Sequence, residues 1–327
     1  MKIAIVGATG EVGRMMIKSL QEEDIKYSLL DLYASKRSKG KKITIENKFH
    51  IVFELTKENI KKNYDYILFS AGSEISKEFV PPAANNGSTV IDNSSAFRRN
   101  PEIPLIVPEI NGRKIKNYKG IIANPNCSTI QMVLAINKLN QYFEIEEIVV
   151  STYQAVSGAG FKGINELENQ RRKQTKPRTF EKQIDLNVIP KIGKIQNDNY
   201  CYEEEKMIFE TKKIFDNPKL KISATTVRVP VIYGHSESIH IKFNKQIDLK
   251  KIEHILENTE SVKYTKNRIV TPIDVKNSNQ SHVCRLRYGV DKNSIVFWNV
   301  ANNVRVGAAV NAIRILKLLE KTKKYRS

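Results

Sequence analysis

Residues 2–13 read Lys-Ile-Ala-Ile-Val-Gly-Ala-Thr-Gly-Glu-Val-Gly. The apolar run at 3–6 predicts a buried parallel strand, and Gly7, Gly10 and Gly13 follow it at regular spacing. Glycines between a strand and a helix permit a tight turn, close approach of the backbone to a pyrophosphate, and close packing of helix on strand. The stretch therefore predicts the first βα unit of a dinucleotide-binding fold, and the alternative is an ordinary βα turn.

Strand-like and helix-like patterns alternate through the N-terminal part of the chain. A helix over 74–84 is expected to break at Pro81-Pro82, because an interior proline removes a backbone hydrogen bond. The alternation predicts a doubly wound parallel sheet, the sheet of an α/β fold. Further strands are expected at 27–34, 51–55, 66–71 and 89–92.

The loop after the second predicted strand favours one form of the dinucleotide. It reads Ser-Lys-Arg-Ser-Lys-Gly-Lys over 35–41, so hydroxyls and cations stand where NAD-binding folds often carry an acid for the ribose hydroxyl. Ser35, Arg37 and Ser38 suit a 2′-phosphate and therefore predict NADP. Asp31 is a competing acid, but it lies within the strand pattern and not at its tip. The alternative for this basic loop is a solvated turn.

A thiol follows the last strand of this predicted sheet. Residues 121–123 are apolar, Asn-Pro-Asn at 124–126 ends the strand, and Cys127 precedes an amphipathic helical pattern over 128–142. The first turn of a helix offers backbone N–H groups and the positive end of the helix dipole. Both favour a thiolate and stabilise an oxyanion on a carbon attached to sulfur. The alternative is a buried, unreactive cysteine.

Polar residues also close the apolar runs of the second half. A strand over 145–155 ends at Gln154 and is followed by the glycine-rich turn Ser-Gly-Ala-Gly at 157–160. A polar residue at a strand end before a glycine-rich turn suggests part of a functional site. The alternative is that Gln154 is a structural hydrogen-bonding residue. A polar helix is expected over 161–175.

Four charged or titratable residues follow in the same half. Glu203 and Lys206 are three residues apart at a helix start, so they share one helix face. A strand predicted over 222–229 carries Arg228, and His235 stands at the mouth of a strand with alternating polarity. Acids in a first helical turn can also simply complement the helix dipole. A lone histidine such as His235 is alternatively a structural residue.

Length, charge and cysteine content limit which classes of binding partner the chain can have. The chain has 327 residues, enough for two domains, and a formal net charge of +19. The lysines are scattered and form no dense basic tract, so compositional bias explains the charge better than a nucleic-acid partner does. A positive field that attracts phosphorylated ligands is the milder functional alternative. Three widely separated cysteines form neither a metal pair nor a disulfide framework, and no run could span a bilayer. We expect a cytoplasmic protein without metal, membrane or nucleic-acid partners.

Eight segments share a joint order and spacing that is far more specific than any one of them. They are Gly-Ala-Thr-Gly-Glu-Val-Gly (7–13), Ser-Lys-Arg-Ser-Lys-Gly-Lys (35–41), Asp-Asn-Ser-Ser-Ala-Phe-Arg (92–98), Asn-Pro-Asn-Cys-Ser-Thr (124–129), Tyr-Gln-Ala-Val-Ser-Gly-Ala-Gly (153–160), Asn-Val-Ile-Pro (187–190), Glu-x-x-Lys-Met (203–207) and Arg-Val-Pro-Val-x-x-Gly-His-Ser-Glu (228–237). Through them nearly the whole chain resembles the aspartate-β-semialdehyde dehydrogenase family.

The resemblance implies a reaction and a fold. The reaction is NADP-dependent reduction of aspartyl 4-phosphate to aspartate semialdehyde through a cysteine thioester, with release of inorganic phosphate, in the biosynthesis of lysine, threonine and methionine. The fold is α/β, with a Rossmann-type NADP-binding domain of residues 1–126 plus the C-terminal helix 304–327. Residues 127–303 would form an α+β domain with a mixed sheet for catalysis, substrate binding and dimerisation. A homodimer is implied.

The resemblance also implies residue roles. Cys127 is the nucleophile, His235 the general acid/base, and Gln154 a hydrogen-bonding residue near the reacting carbon. Lys191 departs from the pattern, because relatives often have a histidine there. The implied substrate residues are Arg98 and Lys206 for the phosphate, Arg228 and Glu203 for the α-carboxylate and α-amine, and Asn126. The implied cofactor residues are Gly7, Ala8, Thr9, Gly10, Glu11, Val12, Gly13, Ser35, Arg37, Ser38, Ser70, Gly72, Ser157, Gly158, Gly160 and Asn303.

Four other identities fit parts of the sequence. N-acetyl-γ-glutamyl-phosphate reductase shares the layout and the thioester chemistry, but it usually has glycine before the cysteine and lacks the Glu-x-x-Lys pair. Glyceraldehyde-3-phosphate dehydrogenase is more distant. A basic nucleic-acid-binding protein on a dinucleotide fold is the alternative of another class. A catalytically inactive homologue is disfavoured, because the thiol, histidine, glutamine and both arginines are present.

Overall fold

The computed structural model describes residues 1–173 and 176–324. The helices predicted over 161–175 and 304–327 extend past these limits, at 174–175 and 325–327. The chain divides into two compact units, one of Met1–Asn126 with Ala308–Ser327 and one of Cys127–Gly307. This division places residues 304–307 in the second unit, whereas the sequence predicts them in the first.

The first unit is built on a seven-stranded sheet in the order β3-β4-β2-β1-β5-β6-β7. All neighbours pair in parallel except β3 and β4, which form an antiparallel hairpin that the sequence does not predict. The predicted doubly wound α/β sheet is confirmed. The strands are β1 (Lys2–Val6), β2 (Leu29–Ala34), β3 (Lys42–Ile45), β4 (Lys48–Glu54), β5 (Tyr66–Phe69), β6 (Thr89–Asp92) and β7 (Ile121–Ala123).

Both faces of this sheet are buried, as a parallel sheet requires. Strand β1 sends Ile3 and Ile5 into one apolar cluster and Ala4 and Val6 into another. The helices of this unit, numbered in chain order, are α1 (Glu11–Glu22), α2 (Ser73–Asn85), α3 (Pro108–Asn111) and α8 (Asn311–Lys324).

The predicted break at Pro81-Pro82 is wrong, because α2 runs through both prolines. The two prolines withhold the N–H groups that would reach the carbonyls of Lys77 and Glu78. Both of these residues are exposed, so water can bond the carbonyls and the helix continues.

The second unit carries a six-stranded mixed sheet in the order β11-β12-β13-β10-β8-β9. The pairs β8–β9 and β11–β12 are parallel and the other pairs are antiparallel. The predicted α+β unit with a mixed sheet is confirmed. Its elements are α4 (Cys127–Phe143), β8 (Ile145–Gln154), α5 (Phe161–Lys173), α6 (Tyr202–Phe215), β9 (Lys221–Arg228), β10 (His235–Phe243), α7 (Leu249–Glu257), β11 (Val262–Thr265), β12 (Ser281–Tyr288) and β13 (Ser294–Ala301).

One face of the mixed sheet changes character along its strands. Where α4, α6 and α7 cover it, the inward side chains form one apolar cluster that includes Ile148, Ile239 and Phe297. Toward one end, the inward positions of the same strands become polar while staying buried. We call these residues the buried polar row; they are Thr152 and Gln154 on β8, Thr226 and Arg228 on β9, His235 and Glu237 on β10, and Asn299 on β13.

No helix within the described residues is both long enough and apolar enough to cross a membrane.

Candidate active site

The thiol lies where the sequence predicts it. Cys127 is the first residue of α4, a helix of 17 residues, and it is partly exposed. Gly307, in the same unit, belongs to a π-helical turn, Arg305–Val310. A Cβ on Gly307 would lie 2.6 Å from the Cβ of Cys127, so glycine is what permits this close approach. The helix start favours a thiolate and can stabilise negative charge beside the sulfur.

The buried imidazole of His235 has one defined tautomer. Its Nδ1 accepts the Ala155 N–H at 3.0 Å, which places the ring proton on Nε2. Among the described residues, Nε2 has no hydrogen-bond partner although it is buried. Burial, helped by the charge of Arg228, lowers the pKa of His235 to about 3, against the opposing effects of Glu203 and the Gly234 carbonyl. The ring is therefore neutral at physiological pH and presents an N–H donor.

Arg228, at the end of β9, is a buried cation beside this imidazole. Its Nη1 donates to the Ala155 carbonyl at 2.7 Å, and its guanidinium carbon lies 5.9 Å from the Phe180 ring centre. Burial lowers the pKa of Arg228, while the negative charges of Glu203 and Cys127 oppose that shift. The carboxylate of Glu203 and the thiol of Cys127 therefore both lie within electrostatic range of the Arg228 guanidinium.

A glycine keeps space open above these two groups. A Cβ on Gly158 would lie 2.7 Å from Arg228 Nη1 and 3.4 Å from His235 Nε2. Arg228 also forms part of the wall of a cavity of about 420 Å³, a size suited to small molecules. Other residues of its wall are Phe180, Ile189, Lys191, Gly193 and Lys194.

Two further predicted substrate residues form an ion pair. Lys206 Nζ donates to Glu203 Oε2 at 2.6 Å, and the same ammonium lies 4.8 Å from the Tyr202 ring centre. Both side chains are largely buried on the first turns of α6. The sequence prediction that they share a helix face is confirmed.

The remaining predicted residues of the substrate site are buried at loop or strand ends. Gln154 ends β8, and its Nε2 donates to Thr152 Oγ1 at 3.3 Å. Arg98 belongs to the first unit, where its Nη2 donates to the Asn93 carbonyl at 2.7 Å. Asn126, the residue before the thiol, is buried as well.

The glycine loop of the first unit fits a dinucleotide at one position in particular. A Cβ on Gly7 would lie 2.1 Å from the Ser70 carbonyl oxygen, and one on Gly13 would lie 2.1 Å from the Gly7 oxygen. These two glycines therefore serve packing within the protein. A Cβ on Gly10 would meet only the Gly7 oxygen, at 3.3 Å, so the start of α1 stays open to a ligand phosphate at this residue.

The loop after β2 lies beside this glycine loop. Lys36–Ser38 form a short 3₁₀ turn, and Thr9 Oγ1 lies 3.4 Å from Ser38 Oγ. The competing acid, Asp31, accepts the hydroxyl of Tyr64 and pairs with Lys62. These contacts occupy its carboxylate within the protein.

The cofactor residues predicted in the second unit are connected by one amide. Asn303 Nδ2 donates to Ser157 Oγ at 3.0 Å, and Asn303 Oδ1 accepts the Gly234 N–H at 2.9 Å. Asn303 thereby fixes the 157–160 turn relative to the residue before His235. Gly160 and, in the first unit, Gly72 adopt positive φ with open space beside them.

Comparison with known proteins identifies the family. Residues 2–118 match the model of the semialdehyde dehydrogenase NAD binding domain, and residues 136–306 match that of the semialdehyde dehydrogenase dimerisation domain. The aspartate-semialdehyde dehydrogenase of Aquifex aeolicus is 45% identical over 98% of each chain, and that of Campylobacter jejuni is 43% identical over 96% of each. The chain belongs to the aspartate-semialdehyde dehydrogenase family.

A solved structure agrees with this membership. Aspartate semialdehyde dehydrogenase II from Vibrio cholerae, in a crystal structure described as complexed with ASA, is 40% identical over 98% of each chain, with a TM-score of 0.95. The resemblance seen in the sequence is thus confirmed, and with it the function in the aspartate pathway and a nicotinamide dinucleotide as cofactor.

Sequence reasoning assigned no role to several residues of this family member that surround the predicted site. Gln131, Glu237 and Asn299 are fully buried and polar, and they lie between α4 and the mixed sheet. The alternation of β10 could have revealed Glu237, because it places this acid on the same face as His235. Among the described residues, no group of three or more His, Cys, Asp or Glu could hold a metal ion.

Proposed function

We propose that this aspartate-semialdehyde dehydrogenase uses NADPH and a thioester on Cys127 to reduce L-aspartyl 4-phosphate. The observation that carries the proposal is the buried N–H donor of His235 with no partner among the described residues, in the same unit as a thiol at a helix start. A buried donor without a partner is costly to stability, and such costs concentrate at functional sites.

The first step is attack by Cys127. The Sγ thiolate forms a bond to the carbonyl carbon of the acyl phosphate, and the carbon–oxygen bond to phosphate breaks, which releases inorganic phosphate. The backbone N–H groups at the start of α4 stabilise the oxyanion that forms on the way. The electrostatic interaction with Arg228 also favours a negative sulfur.

The second step regenerates the thiol. The dinucleotide, when bound, supplies the hydride that converts the thioester to a thiohemiacetal oxyanion. His235 donates a hydrogen bond from Nε2 to that oxygen, because its Nδ1 is committed to the Ala155 N–H. Cleavage of the carbon–sulfur bond then releases aspartate semialdehyde and returns the electron pair to Cys127. Gln154, at the end of the neighbouring strand, orients the reacting carbon.

Charged side chains hold the two ends of the substrate. Arg228 binds the α-carboxylate, since a guanidinium matches a planar carboxylate with two parallel hydrogen bonds, and Glu203 binds the α-amine. Lys206 and Arg98 neutralise the phosphate. Asn126 contributes to the same subsite beside the nucleophile.

NADP is the proposed form of the dinucleotide. The support is the chemistry of the loop after β2, where Ser35, Arg37 and Ser38 offer hydroxyl and cationic donors close to Thr9. Asp31, the acid that could have selected NAD, is occupied by Tyr64 and Lys62. The other proposed cofactor residues are Gly7, Ala8, Gly10, Glu11, Val12, Gly13, Ser70, Gly72, Ser157, Gly158, Gly160 and Asn303.

A homodimer in the cytoplasm completes the proposal. Helices α4, α6 and α7 cover one face of the mixed sheet, while Val149 and Tyr153 on its other face are exposed. The Tyr153 ring lies 5.3 Å from that of Trp298, so an aromatic patch marks this face. Exposed apolar patches of this kind indicate protein contacts, and the matched family domain is described as a dimerisation domain.

The test is oxidation of aspartate semialdehyde by the purified protein, with inorganic phosphate and either NADP or NAD. We expect phosphate-dependent reduction of NADP, slower reduction of NAD, and little activity on N-acetylglutamate semialdehyde. Preference for the N-acetylated aldehyde would favour the reductase alternative, and equal use of both dinucleotides would refute the cofactor proposal.

A further inference from the structure

A buried carboxyl group, that of Glu237, lies on the same sheet face as the proposed catalytic residues and takes no part in the proposed reaction. Glu237 is two residues after His235 on β10, faces the same side of the sheet, and is fully buried. Its neighbours on the adjacent strands are Thr152 and Asn299, and the amide of Gln131 faces it from α4.

Gln131 connects the thiol helix to the histidine strand. It is one helical turn beyond Cys127, and its Nε2 donates to the His235 carbonyl at 3.2 Å. The backbone carbonyl of Gln131 accepts Asn299 Nδ2 at 3.2 Å. The orientation of the Gln131 side-chain amide therefore affects how the start of α4 packs against β10.

The donors around Glu237 do not satisfy both of its oxygens. Asn299 Nδ2 donates one hydrogen to Glu237 Oε2 at 2.8 Å, and its other hydrogen goes to the Gln131 carbonyl. Glu237 Oε1 and Gln131 Oε1 are both buried, and neither has a donor among the described residues. The Gln131 side chain lies within hydrogen-bonding range of the Glu237 carboxyl, so one proton shared between the two unsatisfied oxygens would satisfy both.

We propose that Glu237 is a positioning residue that stays protonated and donates from Oε1 to Gln131 Oε1. This hydrogen bond fixes the Gln131 amide so that its Nε2 holds the His235 carbonyl. The clamp of Glu237, Gln131 and the His235 carbonyl thereby sets the helix of Cys127 against the strand of His235. Its effect on turnover rests on the function proposed above.

The electrostatic surroundings agree with a neutral acid. Burial raises the pKa of Glu237 to about 8, while the hydrogen bond from Asn299 and the nearby polar side chain of Gln131 oppose the shift. The groups that face it from α4, β8 and β13 are uncharged, and His235 on its own strand is neutral. On α6, beyond β9, the oxygens of Glu204 accept backbone N–H groups of Cys201 and Thr226. No cation faces Glu237 from these elements of the described chain to stabilise a carboxylate.

Ionisation would release the clamp. A carboxylate at Glu237 repels Gln131 Oε1, so the amide turns its Nε2 toward Glu237 and leaves the His235 carbonyl. Because the folded-state pKa is raised, the stability that the neutral acid contributes is complete at acid pH and is lost as pH rises toward about 8. We expect kcat to fall by about tenfold for each further pH unit, as one deprotonation requires.

The test compares Glu237→Gln with a matched variant, Glu204→Gln. The amide of Glu237→Gln replaces the O–H donor with an N–H donor, so we expect kcat near neutral pH to stay within about threefold of wild type, and the alkaline fall to disappear. Glu204→Gln makes the same substitution but replaces an oxygen that accepts a backbone N–H, so it should lower stability and leave the alkaline fall in place.

A second readout needs no turnover. The infrared band of a neutral carboxylic acid should be present in the wild-type protein near neutral pH, absent from Glu237→Gln, and retained in Glu204→Gln. Absence of that band from wild type, or an identical alkaline fall in Glu237→Gln, would overturn the proposal. A protein without activity on aspartate semialdehyde would refute the proposed function instead, while the band would still report the proton on Glu237.

Discussion

The glycine loop of the first unit and the buried polar row of the second present functional groups in opposite ways. The loop omits side chains. A Cβ on Gly7 or Gly13 would lie 2.1 Å from a carbonyl oxygen of the protein, so these glycines permit close packing, while Gly10 leaves the start of α1 open to a ligand. The polar row offers side chains at inward positions of a sheet, and it leaves His235 Nε2 and Glu237 Oε1 without partners among the described residues.

The two regions differ in how their functional groups affect the stability of the fold. Close packing in the loop satisfies the backbone, so the same contacts serve folding and ligand binding. In the polar row, buried groups without partners destabilise the fold. They form favourable hydrogen bonds only when a substrate or a proton satisfies them. Substitutions in the row should therefore change rate more than stability, whereas substitutions at the closely packed glycines of the loop, Gly7 and Gly13, should change both.

The largest expected effect is in the polar row. His235→Asn removes the Nε2 donor, and we expect kcat to fall by about 10²–10⁴-fold with little change in the KM for the dinucleotide. The matched control is His282→Asn, since His282 lies in the same unit but bonds Ser278 Oγ at 2.7 Å. Steady-state kinetics with thermal unfolding would measure both quantities. If His235→Asn lowered the free energy of unfolding by as much as it raised the activation free energy for kcat, the two regions would not differ in the way proposed.

A smaller effect is expected in the glycine loop. Gly13→Ala forces the backbone apart and should cost about 1–3 kcal/mol of stability, along with cofactor affinity. Gly10→Ala is the control, because its Cβ meets only one oxygen, at 3.3 Å. We expect it to weaken dinucleotide binding at nearly wild-type stability. Denaturant unfolding and fluorescence titration would show this, and equal destabilisation of both variants would contradict the distinction.

The smallest effect concerns the loop beside the glycines. Arg37→Ala should raise the KM for NADPH about tenfold, roughly 1.4 kcal/mol, and leave the KM for NADH nearly unchanged. Lys39→Ala removes a neighbouring cation that pairs with Glu54, and should affect neither. Equal loss of affinity for both dinucleotides in Arg37→Ala would show that Arg37 does not read the 2′-phosphate.

The two regions also differ in how far the sequence predicts them. The strand at 3–6, the glycine spacing and the thiol at a helix start follow from local patterns, and the structure has them in place, with the strand beginning at Lys2. The contact of Asp31 with Tyr64 joins residues 33 positions apart, which a local pattern does not contain. The β3–β4 hairpin is local, closed by Glu46 and Asn47 at positive φ, and the sequence did not predict it because neither turn residue is a glycine.

The polar row was predictable only residue by residue. Gln154, Arg228 and His235 are visible as polar residues at strand ends. The link from Gln131 to His235 spans 104 residues, and that from Glu237 to Asn299 spans 62, so both depend on strand register and on how α4 packs. Register is set by the whole sheet, which a local pattern does not contain.

The measurement that tests the central proposal most directly is the mass of the peptide containing Cys127 after brief exposure of the protein to aspartyl phosphate without dinucleotide, followed by acid quench. We predict an aspartyl adduct on Cys127 in the wild-type protein, and neither adduct nor turnover in Cys127→Ala. Sustained turnover by Cys127→Ala, or an adduct on another residue, would contradict a thioester at Cys127.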